Sequence, residues 1–157
     1  MIYIISGGNN SGKTAKIKSI YAEEKNGDGF VTEKIIRNSL LCGYEIRRLS
    51  TGESVMLSLK TALFPLDDDP LCTSGPFSFY GEGFDFAGSI VDDIIFNKIS
   101  PVFIDEIGPL ELKGKGLCDS FRKILKADMT IYFTVRNHCL EKVISYFSIE
   151  NYIMIKT

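Results

Sequence analysis

The sequence predicts one α/β domain, a mostly parallel sheet with helices on both faces and a β-hairpin inserted into it. Three observations carry that reading. Short, wholly apolar runs such as Ile2–Ile5 and Val102–Ile104 suit strands buried on both faces of a parallel sheet. Segments with a 3.6-residue apolar period alternate with them, as strand–helix–strand crossovers require. A glycine-rich motif, Gly7 to Thr14, directly follows the first of these strands. At 157 residues, with no linker and no internal repeat, the whole chain 1–157 is one domain.

Each element follows in order. Ile2–Ile5 is a strand that stops at Ser6-Gly7-Gly8. The spacing predicts a helix over 13–24, with Ile17, Ile20 and Tyr21 inward and Asn26-Gly27-Asp28-Gly29 ending it. Phe30-Val31-Thr32 reads as a second strand. From Gly43 to Leu59 the apolar positions alternate around Ser50-Thr51-Gly52, a hairpin signal. The stretch 64–76, with Pro65, Asp67-Asp68-Asp69 and Pro70, reads as a surface loop closed by the turn dipeptide Gly75-Pro76. A short strand over 77–80 and a helix over 85–97 follow, the helix with Phe86, Ile90, Ile94 and Ile95 inward. Beyond Pro101 come a strand (102–104), a helix (117–126), a strand (129–135), a helix (139–147) and a terminal strand (152–155).

Composition removes several classes. Hydrophobic residues at 45% and charged residues at 24% are ordinary for a globular domain, so a fibrous or disordered chain is excluded. A net charge of −2 argues against a broad nucleic-acid footprint. No apolar run approaches the roughly 20 residues that span a bilayer, and no basic, cleavable leader precedes Ile2, so the expected location is cytoplasmic. Cys42, Cys72, Cys118 and Cys139 are scattered, without a C-x-x-C pair, and read as reduced thiols rather than zinc ligands or a disulfide framework.

Gly7-Gly8-Asn9-Asn10-Ser11-Gly12-Lys13-Thr14 satisfies G-x-x-x-x-G-K-[ST] in full. Glycines free the backbone to curl its N–H groups around phosphate oxygens, and the helix N-terminus adds further donors and a positive dipole end. Lys13 is expected at the β- and γ-phosphates, and the Thr14 hydroxyl on Mg²⁺. The second buried strand ends in Asp105-Glu106. An acid in that place shares the magnesium with Thr14, which assigns Asp105 as the other metal ligand. The adjacent Glu106 points elsewhere and is the candidate general base for an attacking water.

Weaker candidates surround this pair. Arg136 follows the apolar run Ile131–Val135 and emerges at the same sheet edge, either as a γ-phosphate contact or as a plain surface arginine. Thr134 is a lesser candidate for sensing that phosphate, and His138 reads as a helix-start or surface residue. Of Arg47-Arg48, strand alternation sends one to each face, and a solvated hairpin face is the favoured setting. Lys113-Gly114-Lys115-Gly116 is a plain loop or a flap. Phe77, Phe79, Tyr80, Phe84 and Phe86 are core, with a base-stacking residue possible among them.

These elements, with Gly29-Phe30-Val31-Thr32-Glu33, Gly43-Tyr44-Glu45-Ile46, Ser50-Thr51-Gly52-Glu53, Ile104-Asp105-Glu106-Ile107-Gly108-Pro109-Leu110-Glu111-Leu112 and Thr134-Val135-Arg136, occur in one order. The chain thereby resembles the small stand-alone P-loop nucleoside-triphosphatases, the family that includes the cancer-related nucleoside-triphosphatase and its archaeal and bacterial relatives. The resemblance implies a RecA-like core and Mg²⁺-dependent hydrolysis of several nucleoside triphosphates, such as ATP and GTP, to diphosphates. It also implies Asp105 and Glu106 as the metal-linked and water-activating acids. Asn10 stands where the family often has glycine. Two other activities suit the same motifs: a small-molecule or nucleotide kinase, and a nucleotide-binding regulator with little turnover. The expected partner is a nucleoside triphosphate.

Overall fold

The computed structural model describes residues 1–157. The chain runs β1 (Ile2–Gly7), α1 (Lys13–Glu24), β2 (Asp28–Arg37), β3 (Leu40–Arg48), β4 (Ser54–Lys60), β5 (Cys72–Ser74) and β6 (Phe77–Phe79). It continues through α2 (Gly81–Asn97), β7 (Val102–Ile107), α3 (Cys118–Lys126), β8 (Ile131–Arg136), α4 (Leu140–Tyr146) and β9 (Tyr152–Lys156). All strands join one sheet in the order β5-β6-β4-β3-β2-β7-β8-β1-β9. The five from β2 to β9 are parallel neighbours, and the four beyond β2 are antiparallel.

The period of two sorts the strand side chains between two cores. Ile4, Val102, Ile104, Ile131, Phe133 and Val135 face α2, α3 and α4, whereas Ile5, Phe103 and Tyr132 face Ile17 of α1. Consecutive residues are therefore buried on opposite faces, which is why these strands read as unbroken apolar runs.

The antiparallel part is larger than the expected hairpin. β2 is ten residues long: Asp28–Phe30 pair with β7, and the rest pairs with β3, so β2 to β4 form a meander. The stretch read as a surface loop holds a strand, since Cys72–Ser74 pair with β6. Helix α2 begins at Gly81 rather than near Asp85. Gly83 makes that possible, because a Cβ there would lie 2.8 Å from the Leu57 Cα and the Met56 carbonyl. The helix packs that closely on β4.

Asp28 and Gly29, expected in a turn, open β2. A Cβ on Gly29 would run into the Phe103 carbonyl. Asp28 is 1% exposed and accepts from Gly29 N–H (2.8 Å), Ser50 N–H (3.1 Å), Ser50 Oγ (2.7 Å) and Arg48 Nε (2.6 Å). Arg48 also pairs with Asp93 of α2. The solvated face expected for Arg48 is thus replaced by an ion network tying β2, the β3–β4 turn and α2 together. Arg47 pairs with Glu45 at 2.5 Å. Removing one partner of a buried pair leaves an uncompensated charge, which costs about 3–5 kcal/mol. Ser50 and the backbone donors stay with Asp28, so Arg48→Ala should lie at the low end, about 3 kcal/mol in urea unfolding. A loss below about 1 kcal/mol, the scale of a surface pair, would show the network to be redundant.

Candidate active site

Parallel strands deliver their C-terminal ends to one sheet edge, and ligands bind there in open α/β sheets. The phosphate loop leaves β1 at that edge, Asp105 and Glu106 lie in β7, and Arg136 ends β8 as the register partner of Gly7. Strand β8 stands between β1 and β7, and Thr14 reaches across it to Asp105.

The loop needs two left-handed residues. Gly12, the N-cap of α1, has φ 88°, and Asn10 has φ 55°, a conformation asparagine tolerates better than most residues. Asn10 also accepts a hydrogen bond from Lys34 Nζ at 3.0 Å. Lys13 is only 5% exposed, and its ammonium donates to the Gly8 carbonyl at 2.7 Å, holding the charge at the loop mouth. The Ser11 and Thr157 hydroxyls lie 3.0 Å apart. The Thr157 hydroxyl also donates to the Ser6 carbonyl at 3.2 Å.

The acid pair sits on a bulge. Ile104 pairs with Phe133 and Ile107 with Val135, so Asp105 and Glu106 together oppose the single residue Thr134. Glu106 takes φ 65°, an uncommon conformation for its residue type. The Thr134 hydroxyl holds it there, accepting the Glu106 N–H at 2.8 Å while donating to Asp105 Oδ1 at 2.6 Å. Thr134 is fully buried and serves the two acids rather than the cleft.

Asp105 is itself fully buried and also accepts from the Thr14 hydroxyl (2.8 Å) and the Thr32 N–H (3.1 Å). Burial pushes its carboxyl up to about 6, against the opposing pull of the Thr134 hydrogen bond, with the Glu106 charge adding to the rise. Arg136 reaches Glu106 with Nε 3.6 Å from Oε2, an ion pair too long for a hydrogen bond. Arg136 Nε has no hydrogen-bond partner.

One cleft of about 450 Å³ opens in front of Thr14 and Glu106. Asn9, Asn10, Lys13, Thr14, Glu106 and Arg136 line its polar end, with Lys34. Tyr44, Leu57, Phe77, Phe79, Phe84 and Leu117 line the other end. Burial, then the Glu106 charge, raises the Tyr44 hydroxyl, while Arg136 opposes the rise, so the two ends adjoin at Glu106.

Of the expected site residues, Asn9, Asn10, Gly12, Lys13, Thr14, Glu106 and Arg136 border the cleft, while Asp105 stands behind Thr14. Arg47 and Arg48 do not reach it. His138 is exposed in a 3-10 turn, as expected. The loop at Lys113–Gly116 is tied down, since the buried Glu111 carboxylate accepts from the Gly108 and Leu117 N–H groups, both at 2.9 Å. Glu111 lay within the Gly108–Leu112 element without an assigned role, and its signal was an acid in an otherwise apolar stretch. No cluster of three or more His, Cys, Asp or Glu is arranged to hold a metal. No helix is long and apolar enough to cross a membrane.

The model of a family described as NTPase matches residues 2–153. Two solved structures share the fold. The crystal structure of THEP1 from the hyperthermophile Aquifex aeolicus superposes with a TM-score of 0.77 at 22% identity, covering 99% of this chain and 89% of that one. The solution structure of a human cancer-related nucleoside triphosphatase gives a TM-score of 0.70 at 19% identity, over 99% of this chain and 87% of the other. No curated protein sequence matches significantly.

Proposed function

The chain belongs to the NTPase family, and on that premise we propose that it hydrolyses nucleoside triphosphates to diphosphate and phosphate with Mg²⁺. One observation carries the reading. Lys13 and Glu106 face a single cleft, with the Thr14 hydroxyl and the Asp105 carboxylate 2.8 Å apart beside them.

Lys13, the loop N–H groups and the α1 N-terminus bind the triphosphate. Thr14 and Asp105 fit Mg²⁺, which takes one or two protein oxygens and completes its shell from phosphates and water. The bound ion would neutralise charge on the β- and γ-oxygens. Glu106 orients a water and takes its proton. The bulge and the Thr134 hydroxyl keep that carboxylate aimed into the cleft. Arg136, paired with Glu106, offers a guanidinium to the charge of the transferred group.

The test is phosphate release from ATP, GTP, CTP and UTP, with Mg²⁺ or with EDTA. Diphosphate and phosphate should accumulate over many turnovers only with Mg²⁺. Release no faster than in protein-free controls would refute the reading. Product retained after one turnover would favour a regulator, and phosphate released only when an acceptor is present would favour a kinase.

The buried carboxyl adds a pH signature. Asp105 must be ionised to share a cation, so the apparent affinity for Mg²⁺ should weaken as pH falls below about 6. For folding without metal the sign reverses. The folded value, about 6, lies above the ordinary 3.8. Its stabilising contribution is therefore complete below about 4 and lost as pH rises through about 6. In EDTA the parent's Tm should rise relative to that of Asp105→Asn when the pH drops from about 7 to about 5.5. Parallel Tm profiles would mean that Asp105 titrates in its ordinary range.

A further inference from the structure

The cleft extends well beyond the phosphate loop and the acids, toward the antiparallel strands. Across the sheet stand the phosphate loop on β1, Arg136 on β8, Glu106 on β7, Lys34 on β2, Tyr44 on β3, Leu57 on β4 and Phe77 and Phe79 on β6. Phosphoryl transfer places the attacking and leaving oxygens roughly in line. The leaving diphosphate is the part held by Lys13 and the loop, so the nucleoside attached to it extends away from Glu106. The nucleophile, activated by Glu106, enters from the opposite side. Whatever is attached to that nucleophile therefore extends toward β3, β4 and β6.

Water has nothing attached and needs about 30 Å³. On that side the structure instead has aromatic walls. Tyr44 meets Phe77 edge-on with centroids 5.3 Å apart, and Phe79 stacks on Phe84 at 5.7 Å. All four rings are only partly buried and border the cleft. The cleft's three cations are Lys13, Lys34 and Arg136. Lys13 is bonded to Gly8, Lys34 is turned back to Asn10, and Arg136 is paired with Glu106. Lys34 is the register partner of Tyr44 and so adjoins the aromatic end. With its ammonium given to Asn10, no unpaired cation lines the cleft there, which argues against a phosphorylated acceptor.

Building on the triphosphatase reading, we propose that the aromatic end is an acceptor subsite for a flat, uncharged ring bearing a primary hydroxyl, which competes with water for the γ-phosphoryl group. The acceptor oxygen forms the new O–P bond as the bond from γ-phosphorus to the β–γ bridging oxygen breaks. The hydroxyl proton passes to the Glu106 carboxylate, and the nucleoside diphosphate departs with the bond's electron pair. Hydrolysis is then the reaction that remains when the aromatic end holds only water.

The test uses triphosphate labelled at the γ-phosphate, Mg²⁺ and three probe alcohols: benzyl alcohol, uridine and adenosine. Label should appear on at least one probe, with free phosphate falling by the same amount. Removing one wall of an aromatic site should raise the probe concentration for half-maximal transfer about tenfold in Phe77→Ala. Phe77→Leu should recover much of that loss. Circular dichroism and triphosphate binding check that each variant folds, and Phe77→Leu carries the test if the alanine variant does not. Label found only in free phosphate at every probe concentration would overturn the proposal and leave the triphosphatase reading standing. If Phe77→Ala instead redistributes KM among ATP, GTP, CTP and UTP without transfer, the rings hold the nucleobase and the proposal also falls. No phosphate release in any arm would refute both readings.

Discussion

Lys13→Ala should lower kcat/KM for every triphosphate by about 10²–10³-fold, the scale of losing one preorganised charge-stabilising donor. The ammonium is 5% exposed and anchored to the Gly8 carbonyl at 2.7 Å, so its position is set before phosphate arrives. Its charge-assisted contacts would be made in a cleft that shields them from bulk water. Gly8 is exposed, so water replaces the lost bond to its carbonyl, and the fold should persist. Titration calorimetry with ATP and Mg²⁺ should show a matching loss of affinity, while circular dichroism stays unchanged. Unaltered affinity would place the phosphates elsewhere.

Glu106→Gln separates binding from chemistry. The substitution keeps size and hydrogen bonding but removes basicity, so kcat should fall about 10²–10⁴-fold while triphosphate affinity is largely kept. The left-handed backbone is a conformation that glutamine bears about as well as glutamate, and the Thr134 bond to the residue's N–H is untouched. The ion pair with Arg136 is lost, but at 3.6 Å and more than a third exposed on both sides it contributes little to stability. Steady-state kinetics with measured Kd values decide the matter. A variant as active as the parent would remove Glu106 as the base, and a parallel loss of affinity would give it a binding role instead.

Much of the polar half of the cleft was legible because its determinants are contiguous. Eight consecutive residues from Gly7 to Thr14, between a buried strand and a helix, specify the phosphate loop. The apolar run Val102–Ile104 places Asp105 at the same edge. The misread elements share a different cause. β2 appeared as three residues because its outer half, which includes Glu33, Lys34 and Arg37, pairs only with β3 and is largely exposed, so it lacks the unbroken apolar signature. Cys72–Ser74 carries no pattern in three residues and is a strand only through its pairing with β6. The start of α2 was masked by Gly81 and Gly83, poor helix formers, although Gly83 is what lets the helix approach β4.

By itself the sequence determined the parallel core, the glycine-rich turn from β1 into α1 and the place of two adjacent acids on β7 at the same sheet edge, since each follows from a short window of residues. The tertiary structure alone decided that a bulge opposite Thr134 turns Glu106 into the cleft while Asp105 is sealed behind Thr14. It alone joined Asp28 to Arg48 and Asp93, and it alone drew Tyr44, Leu57, Phe77, Phe79 and Phe84 into one wall. Each of these depends on strand register and on close approach between segments distant in sequence. A side chain's face in a sheet changes with a one-residue shift of pairing, and that pairing is set by the partner strand rather than by the residue's own neighbours.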